Sequence, residues 1–497
     1  MDDHDSNAEG FAASRQLFAG LCTFLDGEQA GALDHGALEE ALAEQGRELL
    51  RQLYQDHLDL RAQRERRLTV VADADGLPRT SVEPGHHRAL ATVFGTVDVQ
   101  RMAYRRRGQP NLHPADAMLN LPAERHSHGL RRLAAEAAAH GSFDHATGTI
   151  RRRTGTRTAK RQVEALATRA AAYVDDFYAT RPQQPTDPGD ALVLTFDGKG
   201  IVMRPDALRP ATKAAARTSS SKLATRLSKG EKRNRKRMAT VGAVYDLTPV
   251  SRTAADVLAN SDTPTPAPKA TNKWLTASVV QDTTAVLSTV FDQAQRRDPT
   301  NSRTWVALVD GNNHQIDRIH AEAKQRGVTV PVLIDFIHVL EYVWRAAWSF
   351  YREGDPDAET WVHDKALAIL NGKASTVAAA IRRKATRRNL PTDRRAGADR
   401  CADYLLNKRG YLDYPTALNN GWPIATGIIE GACRHIVKDR MDITGARWGL
   451  DGAEAILKLR AVHANGDFDD YWAHHTAQEQ RRIHQTRYAN AVIPRAA

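Results

Sequence analysis

Two short runs constrain this chain more than any other feature. Ala191–Phe196 (ALVLTF) and Thr304–Val309 (TWVALV) are almost wholly apolar, and each is followed at once by Asp-Gly, at Asp197-Gly198 and Asp310-Gly311. Short apolar runs bounded by turn signals read as strands buried on both faces, as in a sheet covered by helices. Such sheets bind ligands beyond the carboxyl ends of their strands. Each run delivers a carboxylate there, beside a glycine that lets a substrate backbone approach. The pattern predicts an α/β fold with an acidic site at one end of the sheet.

The sequence around these runs fills in the rest of the layer. Ala239–Leu247 and Val328–Ile334 read as further strands, the second ending in Asp335, while 279–297 and 315–327 read as helices. TPTPAPKAT, 263–271, reads as a loop. Residues 190–338 thus form the first part of a core. Residues 339–420 read as an all-helical insertion. Its aromatic cluster (Tyr342, Trp344, Trp348, Phe350, Tyr351) suits a helical core better than a base-stacking platform. Its stretch from Arg382 to Arg395 is strongly basic and suits a nucleic-acid channel.

A third acid comes from Gly421–Gly449, within a core segment of 421–465. The spacing predicts a helix of about four turns, with Pro423 and Thr426 at its start and Gly445 near its end. Glu430, Arg434 and Lys438 are four apart and share one face. One acid followed by cations suits a metal ion beside a phosphate backbone. The plainer alternative is a surface helix with an ion pair worth a few tenths of a kcal/mol. Three carboxylates brought together repel one another unless a cation neutralises them. Oxygen donors favour Mg²⁺ or Mn²⁺, and two such ions roughly 4 Å apart serve phosphodiester displacement.

The charge balance points the same way. The 497 residues carry 70 Lys and Arg against 59 Asp and Glu, a net +11. An excess of this kind favours a polyanionic partner, nucleic acid first. The first fifty residues oppose the trend, with only Arg15 and Arg47 among many acids, so the remainder is more basic than the total suggests. The densest cationic run is Lys229–Arg237, in which Lys232, Arg233, Arg235, Lys236 and Arg237 read as a phosphate-tracking arm. No apolar run is long enough for a membrane span. Cys22, Cys401 and Cys433 are too scattered for disulfides or a zinc site, which fits a reducing cytoplasm.

Ahead of the core, residues 1–66 read as helical and 67–181 as a β-hairpin and helix-turn-helix-like region. Short alternating runs over 68–105 predict hairpins, followed by Arg105, Arg106 and Arg107; with Arg101 these are candidate phosphate contacts. Helices are expected over 129–140, 143–153 and from Thr158 as a cap, with Gly155 in the short turn between the last two. Lys160, Arg161 and Gln162 then fall where a recognition helix meets base edges. The same layout also fits any three-helix bundle. Pro182–Pro188 reads as a linker, and 466–497 as a polar tail.

Taken in order, TFDGKGIVMRPDALRPAT, LVDGNNHQ, DFIHVLEYVW and GIIEGACRHIVKDRMDITGARW resemble a bacterial insertion-sequence transposase of the DDE class, close to the ISKra type and related to the Mutator-like group. The hairpin-to-helix region GHHRALATVFGTVDVQRMAYRRR through LHPADAMLNLP shares the resemblance. It implies a ribonuclease-H-like core interrupted by a helical insertion, with Asp197, Asp310 and Glu430 as a metal-binding triad. It also implies roles near the site for Asp335, His338 and Trp448. The implied partners are element-end and target DNA, acted on by a homodimer or larger assembly in the bacterial nucleoid. Relatives often carry paired cysteines after the hairpin; here YRRRGQPNLHP has none, so arginines stand in their place. A nuclease on the same core, and a non-catalytic DNA-binding regulator, are the alternatives.

Overall fold

In a computed structural model of the chain, residues 10–183, 186–218, 235–258, 263–443 and 445–495 are described. The chain divides into two compact units, Met1–Thr180 with Gly466–Ala497, and Arg181–Asn465. Lys232 and Arg233 lie outside the described residues.

The first unit begins with α1 (Ala12–Asp26) and α2 (His35–Gln63). Asp34 caps α2 by accepting from the Ala37 amide at 2.8 Å. The two helices are tied where the Ser14 amide and hydroxyl both donate to Asp56. The expected hairpin forms as β1 (Ser81–Thr92) and β2 (Gly95–Arg105), antiparallel and closed by a two-residue turn. Leu90, Val97 and Val99 pack with Leu58 of α2. Then come α3 (His128–His140), α4 (Phe143–Thr154), α5 (Lys160–Ala170) and α6 (Val174–Thr180). Gly155 ends α4 at φ +68°, a left-handed position that favours glycine. Thr158 is not the cap of α5: Ala159 holds that position, and the Gln162 side chain accepts from its amide at 3.1 Å. Arg101 is no phosphate contact either. It is buried, with Nε 2.9 Å from Asp116.

The second unit is built on a five-stranded mixed sheet. Its strands are β3 (Ala191–Val202), β4 (Lys236–Leu247), β5 (Ala270–Ser278), β6 (Trp305–Val309) and β7 (Val332–Ile334), in the order β5-β4-β3-β6-β7. β4 is antiparallel to both β3 and β5, whereas β6 and β7 run parallel to β3. Helix α7 (Thr283–Arg297) covers one face. Gly242 of β4 makes room for it, since a Cβ there would meet Val290 at 2.5 Å. After α8 (Asn313–Arg326), the insertion supplies α9 (Phe336–Ala347), α10 (Pro356–Leu370), α11 (Ala374–Arg387) and α12 (Thr392–Asn407). These share one apolar cluster with Val193, Val306, Leu308 and Leu333 of the opposite sheet face. The α/β class is therefore as expected, with one strand more than the sequence reading supplied.

That strand, β5, occupies residues partly assigned to a loop. Thr271, Asn272 and Lys273 in its first half are exposed, and it pairs antiparallel with β4. β3 also runs past Asp197 to Val202, through Gly198 and Gly200, because residues 197–202 pair with 236–241. Correspondingly, β4 starts at Lys236, so Lys236 and Arg237 belong to a strand rather than an arm. The Arg237 Nε donates to the Val279 carbonyl at 2.7 Å.

The third acid's helix is α13 (Gly427–Ala432), which continues as a π-helical turn at Cys433–Lys438 and a last turn at Asp439–Met441. α14 (Leu450–Ala464) then packs on β5, where Glu454 accepts from the Ser278 hydroxyl and the Val279 amide, both at 2.8 Å. The residues read as a polar tail instead return to the first unit as α15 (Phe468–Ile483). Tyr471 and His475 are buried in it, and Glu479 pairs with the buried Arg131 of α3 at 3.2 Å. No helix among the described residues is long and apolar enough to cross a membrane.

Candidate active site

Side chains alternate along a strand, so the register of the sheet decides which acids can meet. β3 and β6 are level at Val193–Val306 and again at Thr195–Leu308. The same register carried on by two residues brings Asp310 abreast of Asp197. Both acids continue the row that faces the insertion helices, because Val193, Val306 and Leu308 belong to that cluster. Both are half-buried. Asp310 directly follows the last residue of β6, and one of its oxygens accepts from the Asn312 amide at 3.1 Å.

Gly311 is required by space as well as by backbone. Its φ is +92°, and a Cβ would lie 2.8 Å from the Tyr404 hydroxyl. That hydroxyl donates to the Asp310 carbonyl at 3.2 Å. Burial pushes the Tyr404 phenol well up, and Tyr342, Asp310 and Asp335 add to the effect, so it stays protonated and able to donate. Tyr404 also stacks on Tyr342 with centroids 3.9 Å apart, and His338 meets both rings edge-on. His338 is thus half-buried in an aromatic wall beside the second acid.

Glu430 is carried in by α13, which lies against β3 and β4. The link to β3 is Cys433. The π turn that carries it packs on β3, and its buried thiol lies near enough to Asp197, Glu430 and Lys199 for their charges to bear on it. Burial first, then Asp197, pushes this thiol far above its ordinary range, so it stays protonated. Cys433 was missed in the sequence, where a single cysteine on a helix carries no spacing signal.

Asp335 stands at the start of α9 and holds α13 in place. One oxygen accepts from the Ile337 amide at 2.8 Å; the other accepts from the amide of Thr426 at 3.2 Å and from its hydroxyl. The Phe336 amide donates to the Ile424 carbonyl at 2.8 Å. Thr426 is the residue from which α13 starts, so this buried latch fixes where Glu430 emerges.

Arg434 and Lys438 are exposed with Glu430, but no Glu430–Arg434 pair forms. Arg434 instead approaches Asp439 at 4.0 Å, five residues on, a spacing that the wider π turn brings round. Trp448 is buried rather than open to a ligand. Its amide donates to the Val202 carbonyl, its indole N–H donates to Met441, and Arg440 lies over its ring at 4.7 Å. It staples the end of β3 to the segment after α13.

The donor set suits a hard cation. No lysine, arginine or histidine among the described residues forms an ion pair with Asp197, Asp310 or Glu430. No three His, Cys, Asp or Glu side chains among the described residues are drawn into a ready metal cluster.

In the first unit, Arg151, Arg152, Arg153, Arg157, Lys160 and Arg161 are all exposed around the turn between α4 and α5. Lys160 is paired with Asp144 at 2.5 Å, and the Gln162 side chain is engaged in capping its own helix, whereas Arg161 is exposed to solvent. Arg235 lies just before β4, where its carbonyl accepts from the Met203 amide. No protein-family model matches the chain, and no curated protein is significantly similar to it.

Proposed function

We propose that the second unit is a ribonuclease-H-like core and that the chain is a DNA transposase of the DDE class. The observation that supports this reading most is the register that brings Asp197 and Asp310 abreast at the ends of adjacent parallel strands, with Glu430 on a helix that lies against β3 and β4. The continuation of that helix packs on β3 as well. The excess of cationic residues supports a nucleic-acid substrate.

Asp197, Asp310 and Glu430 would hold Mg²⁺ or Mn²⁺, which supplies activation of the attacking oxygen and stabilisation of the leaving one in phosphodiester displacement. The chain's own groups do the rest. Arg434 and Lys438, exposed beyond Glu430, contact phosphates flanking the reacting bond. The Asp335–Thr426 latch keeps Glu430 in register with the strands. The reaction is hydrolysis at an element end, which frees a 3′-hydroxyl, followed by attack of that hydroxyl on target DNA. The basic rim around α4 and α5 reads the element end, and two ends require two or more copies of the chain.

The test is strand transfer with a labelled element-end fragment, a target plasmid and Mg²⁺, beside Asp197→Asn. Several kcal/mol of transition-state stabilisation are at stake, so the variant should lose at least about a hundredfold in rate. End binding should be retained. Cleavage without joining would replace the transposase by a nuclease on the same core. Binding with neither reaction would leave a regulator.

A further inference from the structure

The first unit contains a cavity that the acidic site does not use. It has a volume of about 590 Å³ and is walled by β1, β2, the turn after residue 120 and the residues that follow α15. Four guanidiniums line it, from Arg88, Arg101, Arg125 and Arg487, against one carboxylate, Asp116. The imbalance is built in at depth. Arg88 and Arg101 share Asp116, at 3.7 and 2.9 Å. Backbone carbonyls fix both: Arg88 donates to those of Pro122 and Glu124 at 2.9 Å, and Arg101 to that of His86 at 2.9 Å. Arg125 and Arg487 stand exposed at the mouth, and Arg487 donates to the Asn111 carbonyl at 3.1 Å. Arg125 has no ion-pair partner among the described residues.

The imidazole in the wall responds to this field. Burial first, and then Arg487 and Arg88, hold His484 below its ordinary range, against the opposing pull of the Leu121 carbonyl and Asp116. Besides Asn111 and His113, the rest of the wall is largely apolar, from Leu121, Pro122, Ile483 and the ring of Tyr488.

Pre-set guanidiniums recognise phosphate oxygens. An excess of three cations over Asp116 suits a monoester, which carries close to two negative charges, better than an internal diester, which carries one. The volume and the apolar wall suit one nucleoside. We infer that this cavity binds the phosphate monoester of a nucleotide, either free or at the 5′ end of a DNA strand. The inference does not depend on the chemistry assigned to Asp197, Asp310 and Glu430.

The experiment measures binding to the full-length chain at low salt. The first arm compares dAMP with deoxyadenosine. The second compares a duplex bearing 5′-phosphates with the same duplex bearing 5′-hydroxyls. Each is repeated with Arg125→Gln/Arg487→Gln, whose exposed positions should leave the melting temperature unchanged. Binding of dAMP at least tenfold tighter than deoxyadenosine, with that preference lost in the double variant, supports a nucleotide pocket. A tenfold preference for the phosphorylated duplex, lost in the same variant, identifies the DNA end as its source; preference in the first arm alone identifies a free nucleotide. No preference in either arm overturns the proposal, as does a preference that the double variant keeps. None of these readouts requires cleavage, so failure here is distinct from failure of the strand-transfer test.

Discussion

A methyl group at position 311 would sit 2.8 Å from the Tyr404 hydroxyl, on a backbone held at φ +92°. Both effects oppose any residue but glycine, and they can be separated. Gly311→Ala should destabilise the chain by roughly 1–3 kcal/mol through strain and crowding together. Adding Tyr404→Phe removes the hydroxyl and should return the crowding part but not the backbone part. Denaturant unfolding of the single and double variants measures the split; equal stability of Gly311→Ala and wild type would remove the packing argument. This glycine was legible in the sequence, because Asp-Gly after an apolar run marks a strand end. Its reason was not, since Tyr404 comes from the distant α12. Cys433 is the converse case. Its place near Asp197, on a turn packed against β3, brings together two segments more than two hundred positions apart, and nothing local announces it.

At the scale of elements, the buried parallel strands were the easiest to read because their apolar runs are continuous. β5 was hidden because most of its early residues face solvent and break the apolar alternation. The π turn was hidden because 430, 434 and 438 satisfy α-helical spacing. α15 was hidden because its buried row includes His475 and Glu479, which a hydrophobic pattern scores as polar. That row gives the unit a pH dependence. Burial, reinforced by His128, Arg131 and His474 and opposed by Glu479, pushes the His475 imidazole down to about 4. Unfolded, it titrates near 6.5. Between these values the unfolded chain binds the extra proton, so stability is complete above about pH 6.5 and falls as pH drops toward 4. The loss from this residue is about 3 kcal/mol. Burial also lowers His126, His128 and His484, which adds loss in the same direction. Unfolding midpoints across this range should fall with acid, and more shallowly in His475→Phe. Parallel curves would contradict the assignment.

For the whole molecule the governing quantity is charge and where it lies. The net charge is +11 although the first fifty residues are strongly acidic. The cations do not act alike. Arg101, Arg131 and Arg303 are buried in ion pairs and add little to the outer field, whereas Arg151, Arg152, Arg153, Arg157 and Arg161 are exposed together. Counterion release ties affinity to the number of phosphates that the protein neutralises. If that number is about six to ten, DNA binding should weaken by about 10³–10⁵ between 50 and 200 mM salt. Replacing Arg151, Arg152 and Arg153 by alanine should then reduce the log–log salt slope by about one for each phosphate no longer neutralised. Fluorescence anisotropy across a salt series measures both slopes. A variant with the wild-type slope would move the interface away from α4 and α5, whereas a flat wild-type response would deny a phosphate-tracking interface altogether. The exposed arginines, rather than the total charge, are what that comparison isolates.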